Sequence, residues 1–227
     1  MPRRAAMMLL LGGLALATPA AGQTQTPDPP GPYAIDLRGA TAAVPQDPGF
    51  FPAVPTGTLI PARGFGIDVG GHVYIASFKA ARLGVGANLV RVRGSAAPPA
   101  PTSTSTPSAT PVLPTTPDVA ATVTTLAPQL SFNFGSSAGW SHVSVGYGRA
   151  HVKTSRSAFR TGTEAERDHG AVPALNFGGG ARWFFKARLA FSFDLRFHML
   201  SAGRAEGTEP ATPKKTLVTA AVGISLK

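Results

Sequence analysis

Five histidines are the residues of this 227-residue chain best suited to metal binding or acid–base chemistry. They are His72, His142, His151, His169 and His198, and none forms the i, i+4 pair or close cluster from which zinc sites are built. The chain contains no cysteine, which excludes disulfides, thiolate metal sites and cysteine nucleophiles. We therefore expect neither a bound metal nor a cofactor.

One serine–histidine pair comes nearest to a nucleophilic site. His198 and Ser201 are three residues apart, so on a β-strand their side chains would point to opposite faces. The acids that follow, Glu206 and Glu209, lie in a segment with no strand pattern. Because a catalytic base must reach its nucleophile within hydrogen-bond distance, this spacing argues against hydrolysis.

A set of charged and imidazole side chains forms a better-defined constellation. All of its members share one face of four predicted strands: Asp68, His72, Arg82, Arg182, Asp194, Arg196 and His198. Such a set could be a gate or selectivity filter, or it could be a structural network of ion pairs. Which of these it is depends on the elements that position it.

Those elements are strands, because apolar residues recur at every second position. Between residues 188 and 201, Leu189, Phe191 and Phe193 share one face, whereas Asp194 and Arg196 share the other. The pattern predicts eight strands, at about 33–41, 64–76, 81–93, 119–135, 140–154, 171–185, 188–201 and 215–226.

The connections between these strands alternate in length. Short turns follow the second, fourth and sixth strands, whereas the other connections are long and rich in proline or polar residues. Short periplasmic turns and longer external loops are typical of transmembrane barrels, and an even strand number places both termini in the periplasm. The sequence therefore predicts an all-β, eight-stranded antiparallel up-and-down transmembrane β-barrel. In a soluble β-sandwich, nothing requires short turns at one end and long loops at the other.

The two faces of the strands agree with this fold. The apolar face, which would contact lipid, includes Leu83, Val85, Leu130, Phe132, Val143, Val145, Leu175, Phe177, Val222 and Ile224. The other face is polar and rich in glycine. Because eight strands leave an interior only wide enough for side chains, we expect the charged set to be a plug rather than a gate.

Aromatic residues near the short turns predict an interfacial girdle: Trp140, Trp183, Phe184 and Phe185.

Pro128 and Pro173 fall inside predicted strands, where proline removes a backbone donor, so we expect a bulge or a shifted strand boundary there. Arg91 and Arg93 fall on the lipid face, where they could pair with lipid phosphates near the external end, unless a bulge shifts the register.

The chain divides into a targeting segment and one domain. Residues 1–22 carry Arg3 and Arg4, an apolar run and small residues, and predict a signal peptide. Residues 23–32 predict a flexible lead-in, and 33–227 the barrel. Within the barrel, residues at about 95–118 predict a disordered Pro/Ser/Thr-rich external loop. Residues 164–169 are expected to form a solvated loop rather than a cation site.

The chain resembles the small bacterial outer-membrane β-barrel family related to the OmpA transmembrane domain. The signal peptide, the Gly-rich segment 175–183, the aromatic strand 188–196 with its Asp-x-Arg, and the apolar last strand carry the resemblance. It implies a location in the bacterial outer membrane, contact with its lipids and lipopolysaccharide, and insertion by the barrel-assembly machinery. Members usually end in an aromatic residue, whereas this chain ends in Leu226 and Lys227.

The net charge of +10 would by itself suggest nucleic-acid binding. An export signal and a charged fraction of only 14% argue instead for a membrane barrel, with no nucleic-acid partner. We expect a structural or surface-interaction role without catalysis. A small porin-like channel is the alternative. A soluble ligand-binding barrel is less favoured, as is a lipid A deacylase, whose His-x-Ser motif His198 and Ser201 do not reproduce.

Overall fold

A computed structural model describes residues 31–51, 54, 58–78, 81–97, 117–157, 164–205 and 211–227. The predicted signal peptide, nearly all of the lead-in and most of the Pro/Ser/Thr-rich loop lie outside the described residues. Within the described part of the chain, no helix is long and apolar enough to cross a membrane.

Eight antiparallel strands close into a barrel in which each strand pairs with the next along the chain and the last pairs with the first. The strands are β1 (Tyr33–Ala43), β2 (Arg63–Phe78), β3 (Ala81–Ala96), β4 (Asp118–Ser136), β5 (Gly139–Ser157), β6 (Glu164–Phe184), β7 (Leu189–Leu200) and β8 (Lys215–Leu226). A single 3-10 turn, Pro48–Phe50, follows β1. The predicted all-β, eight-stranded up-and-down barrel is confirmed.

Side chains alternate between the exterior and the interior of the barrel. On β7, Phe191 and Phe193 are exposed, whereas Ser192, Asp194 and Arg196 are at most 1% exposed. A soluble barrel would bury the aromatic set and expose the charged one. Over the middle of this barrel, the apolar face is outside and the polar face is inside.

The wall of the barrel is uneven in height. β4, β5 and β6 have 19, 19 and 21 residues, whereas β1 and β8 have 11 and 12. The β5–β6 ladder runs from Gly139 and Trp183 at the short-turn end to Ser157 and Glu164, while β1 and β8 pair only from Ile35 to Ala42. The tall side therefore lies opposite the seam between the first and last strands.

The prediction of a solvated loop at 164–169 is wrong, because these residues continue β6. A one-residue bulge lets them keep pairing with β5: His151 faces Ala171, whereas Lys153 faces Asp168. Gly170, in this bulge, has φ of 68°, a conformation that other residues rarely adopt. Sequence alternation stops at the bulge, which is why the strand was predicted to begin only at residue 171.

The two strand prolines are accommodated without a bulge at either position. Pro128 pairs with Ala87 of β3, but the β4–β5 ladder is interrupted there, between the pairs at Leu126 and Gln129. Pro173 accepts a hydrogen bond from the backbone of Ser201, just past the end of β7. Its missing N–H therefore faces a position where no paired strand residue needs it.

The barrel depends on glycine where strands approach closely. A Cβ on Gly180 would lie 1.9 Å from the Phe193 carbonyl oxygen, whereas one on Gly39 would meet only the Val222 carbonyl, at 3.8 Å. We expect Gly180→Ala to lower the free energy of unfolding by about 1–3 kcal/mol, and Gly39→Ala to change it little. Urea unfolding followed by the mobility of unheated samples on gels measures both. Equal effects at the two sites would contradict this packing.

Candidate functional site

A pair of charges that crosses the lumen is the most tightly bonded feature of the interior. Arg182 on β6 donates from Nε to Oδ1 of Asp36 on β1 at 2.8 Å and from Nη2 to Oδ2 at 2.6 Å. Both side chains are completely buried. Ser225 on β8 donates to the same carboxylate, so Asp36 ties together β1, β6 and β8. A bidentate pair of this kind fixes geometry as well as charge.

A second pair lies beside the first. Arg196 donates to both carboxylate oxygens of Asp194, at 3.1 and 3.0 Å, and to Ser144 at 3.0 Å. His142 links the two pairs: its Nδ1 accepts from Arg182 at 3.2 Å, and its Nε2 lies 3.0 Å from Asp194. Because the guanidinium can only donate, Nδ1 must be the acceptor and Nε2–H the donor to Asp194.

Arg38 joins a third carboxylate to the network. Its guanidinium lies 3.2 Å from Asp36, 3.7 Å from Asp68 and 3.9 Å from Asp194, and Asn88 donates to Asp68 at 2.7 Å. The lumen network thus contains three carboxylates (Asp36, Asp68, Asp194) and three guanidiniums (Arg38, Arg182, Arg196). Equal numbers of opposite charges make it electrically balanced, which is what burial of charge requires.

An aromatic layer closes the short-turn end of the lumen. Trp140 is 2% exposed and packs on Tyr74 and Phe184, with ring centroids 6.2 and 4.7 Å apart. Lys227, the last residue, places its ammonium 4.1 Å from the centre of the Phe184 ring and donates to the Ser137 carbonyl at 2.9 Å. The predicted girdle is therefore correct for Trp183 and Phe185, which are exposed, but wrong for Trp140 and Phe184, which face inward.

The end of the lumen opposite the short turns is apolar, which the sequence pattern did not predict. Its buried side chains include Ala42, Val44, Phe50, Phe51, Val92, Val119, Val123, Val152, Leu200 and Leu217. Phe50 enters from the β1–β2 connection, and its carbonyl accepts from Thr154 at 3.0 Å and lies 3.0 Å from Nε2 of His169. Asp47 and Lys215, 2.7 Å apart, fasten the same connection to β8. The β1–β2 connection therefore covers this end of the lumen, and we call this apolar layer the apolar roof.

The structure brings some of the predicted site residues together and leaves others apart. Asp68, Arg182, Asp194 and Arg196 belong to the lumen network described above. His72 and His198 are buried, but neither ring is hydrogen-bonded to another described group. Arg82 lies nearer the short-turn end and donates to the Gly31 carbonyl at 3.2 Å.

Three members of the network were missed as site residues, namely Asp36, Arg38 and His142. Asp36 and Arg38 alternate with Ile35 and Leu37, so the sequence pattern of the first strand does carry a signal for their inner-face position. His142 directly precedes Val143, which with Val145 lies on the outer face, so alternation also places His142 on the inner face. The register sets it opposite Asn133 and Gly180.

The sealed interior limits what chemistry the site can perform. His198 is 1% exposed in the lumen, while Ser201 follows the end of β7, so the two do not form a catalytic pair at a lipid-facing surface. Among the described residues, no group of three or more His, Asp or Glu side chains could hold a metal ion. The network can hold the wall together and block the lumen.

The exterior is an apolar band with a polar boundary. Large apolar side chains on all eight strands, such as Leu37, Phe132, Val145 and Phe177, are between 37% and 69% exposed. A closed barrel with this exterior and a charged interior is built to cross a membrane with its strands. The chain has the fold of a transmembrane β-barrel.

On the side of the apolar band away from the short turns lies a cluster that we call the external basic belt. It consists of outward side chains on β3 and β5: Arg91, Arg93, Arg149, His151 and Lys153. On β4, which lies between them, the outward residues change from Leu130 and Leu126 to Thr124 and Thr122 at the same height. Arg91 and Arg93 thus keep the predicted outward register.

Acids on β6 partner one side of the belt. Lys153 lies 3.2 Å from both Glu166 and Asp168, and Asp168 also contacts His151. Partial burial opposes ionisation of Asp168, but hydrogen bonds from His151, the Gly170 backbone and Lys153 outweigh it and hold the pKa of this carboxyl at about 2. The acids balance the β5 side of the belt and leave the β3 side cationic.

Comparisons with known proteins find structural neighbours only. No protein-family model and no curated protein matches the chain. It is similar to Ail, the attachment invasion locus protein of Yersinia pestis, at 13% identity and a TM-score of 0.48 over 86% of this chain and 96% of that one. It is also similar to Neisserial surface protein A, at 11% identity and a TM-score of 0.49 over 87% and 97%. The outer membrane protease OmpT of Escherichia coli matches at 7% identity and 0.39 over 73% and 64%.

The lumen network gives a direct test. Asp36→Asn leaves Arg182 buried without its carboxylate, so we expect a loss of about 3–5 kcal/mol in the free energy of unfolding. Arg182→Met should cost a similar amount, and the double variant less than the sum, because each change removes the same interaction. Arg188→Met, in an exposed turn, is the control with little effect. Strict additivity, measured by urea unfolding in detergent micelles, would disprove the coupling.

Proposed function

We propose that this outer-membrane barrel is a closed, non-catalytic protein that displays an interaction surface on the external ends of β3 to β6. The observation that carries the proposal is the contrast between a lumen blocked at three levels and a wall that rises far above the apolar band on one side. The described part of the interior offers no path for a solute and no accessible reaction site. The long strands β4, β5 and β6 instead offer an exposed surface on which a partner can bind.

The blocked lumen argues against the channel alternative. The aromatic floor, the lumen network and the apolar roof lie one above another, so a solute would have to displace all three. The seven side chains predicted as the site, from Asp68 to His198, act in this proposal as structural residues. A buried network in which charges are paired is costly to break, which favours a static plug over a gate.

The height of the wall supports display at the cell surface. A transmembrane strand needs about 9–11 residues, whereas β5 has 19 and β6 has 21. The remainder extends the β5–β6 ladder by roughly 25–30 Å at about 3.3 Å per residue. Ion pairs across this ladder hold it as ordered sheet, and a rigid platform loses little conformational entropy when a partner binds.

The apolar band, the external basic belt and β8 each indicate a partner of the barrel. The apolar band contacts outer-membrane lipids, and the external basic belt lies where lipopolysaccharide carries its phosphates. The last strand, β8, which ends at Leu226, would be the segment presented to the barrel-assembly machinery. Nothing in the described surface calls for a nucleic acid. Catalysis is left out of the proposal because His142 and His198, the two histidines with a serine within three residues in sequence, are both buried inside the lumen.

Electrical recording tests the blocked lumen. In planar bilayers, the wild-type protein should give no current above leak. Phe50→Ala removes the centre of the apolar roof, yet it should also remain silent, because the lumen network below is intact. Insertion is checked by recovering heat-sensitive gel mobility from the same membranes. Stepwise currents from the wild type would contradict the proposal and favour the channel; currents from Phe50→Ala alone would show that the roof is the only seal.

Cysteine labelling tests the displayed surface, and the chain has no native cysteine to confuse it. Ser157→Cys lies at the tip of β5, and Ala138→Cys lies in the short turn between β4 and β5; both positions are exposed. On intact cells, a membrane-impermeant maleimide should label Ser157→Cys and leave Ala138→Cys unlabelled, while lysed cells should label both. The reverse pattern would overturn the orientation and with it the proposed display.

A further inference from the structure

We propose that β3 to β6 carry a binding site for one phosphorylated, acylated glycolipid of the external leaflet. The site has two parts: the external basic belt binds the phosphate, and an apolar groove below it on the same strands takes an acyl chain. This inference rests on the outer-membrane location and the orientation proposed above, and it adds a defined site and ligand class.

The upper part is a groove of about 480 Å³ bounded by the belt. In the strand register, Arg93 lies beside Thr122, which lies beside Lys153; one step nearer the membrane, Arg91 lies beside Thr124 and His151. The first row therefore presents a guanidinium, a hydroxyl and an ammonium across three neighbouring strands, and the second presents a guanidinium, a hydroxyl and an imidazole. Guanidinium, ammonium and hydroxyl groups are the donors that proteins use to bind phosphate oxygens.

Three cations of the belt are free to bind a ligand. Arg91, Arg93 and Arg149 are exposed, and within the described residues no ion pair joins any of them to an acid. Lys153 is already neutralised by Glu166 and Asp168, so it borders the site rather than supplying its charge. The unmatched positive charge is concentrated on β3 and at Arg149.

The lower part is a groove of about 470 Å³ on the lipid-facing surface, directly beneath the belt. Leu130, Val145, Tyr147 and Leu175 line its walls, and Pro128 lies in it. It coincides with the interruption of the β4–β5 ladder at Pro128, and the small Gly146 lies on the neighbouring strand. A cleft between apolar side chains on an otherwise continuous wall suits a hydrocarbon chain.

The spacing of the two parts fits one molecule. On β4, Thr124 in the upper groove and Pro128 in the lower groove are four residues apart, about 13 Å along the strand. Leu126 and Arg149, which pair in the register, occupy the boundary between them. A phosphate on a sugar headgroup and the first carbons of its acyl chain span this distance, whereas a soluble anion would use the belt alone.

The site is confined to one side of the barrel. The outward side chains of β1, β7 and β8 carry no charge: they include Leu37, Thr41, Leu195, Met199 and Val218. Non-selective attraction to an anionic membrane would place basic residues around the whole circumference. A basic cluster on two of the eight strands, above a groove, indicates a bound lipid rather than a general surface charge.

The test measures lipid retained by the folded protein. Wild-type protein in phosphatidylcholine nanodiscs doped with equal amounts of bisphosphorylated lipid A and phosphatidylglycerol is released gently and examined by native mass spectrometry. One lipid A should be retained in preference to phosphatidylglycerol. Arg91→Gln/Arg93→Gln should weaken retention by about tenfold or more. Val145→Trp, which fills the groove, should lower the preference for lipid A while leaving the belt charged.

Matched controls separate the outcomes. Lys186→Gln/Arg188→Gln removes the same charge at the periplasmic end and should leave retention unchanged. Equal retention of lipid A by wild type and Arg91→Gln/Arg93→Gln overturns the proposal. So does an equal preference for phosphatidylglycerol, or full displacement by inorganic phosphate, since either would show that the belt binds charge alone. Loss of the site with labelling at Ser157→Cys and electrical silence intact would leave the proposed function standing.

Discussion

A guanidinium that is buried in a lumen without bulk water must find carboxylates, and the whole barrel is arranged around that requirement. Arg182 donates to both oxygens of Asp36 across the lumen, whereas Arg38 lies 3.7 Å from Asp68 on the adjacent β2 and Arg196 donates to Asp194 on its own strand. Because Arg182 on β6 and Asp36 on β1 come together only when the ring is closed, closure of the barrel and pairing of these two charges are the same condition.

The interior of the barrel has a polar part and an apolar part, which the alternation of polar and apolar residues along the strands does not predict by itself. An apolar set outside and a polar set inside describe the lower and middle barrel, but the external third of the lumen is lined by valine, alanine and leucine and filled by Phe50. There the strands rise above the lipid, so both faces of the wall meet water or protein, and an ordinary hydrophobic core forms inside. The barrel thus combines a membrane-protein interior with a small soluble-type core above it.

The strands, their order and the inward residues could be predicted from period-2 alternation because lipid and lumen impose opposite polarities on every strand. The same reasoning failed wherever the exterior leaves the lipid. At 164–170 the outward side chains are Glu166 and Asp168, so no apolar face marks the strand. Phe50 and Trp140 were missed for a related reason: an aromatic residue beside a turn is equally compatible with the lipid interface and with the end of the lumen. Alternation places Asp36 and His142 on the inner face, but their contacts with Arg182 and Asp194 depend on pairing across the barrel, which no local pattern encodes.

The uneven wall has a mechanical consequence. The first and last strands share eight residue pairs, while β5 and β6 share eighteen on the far side of the ring. Thermal opening begins where the fewest backbone hydrogen bonds are lost. We therefore expect the ladder between β1 and β8 to open first, while the ladder between β5 and β6 stays paired. The weakest strand pairing, between β1 and β8, lies where the outward side chains carry no charge. The longest ladder, between β5 and β6, carries the charged side chains of the proposed interaction surface.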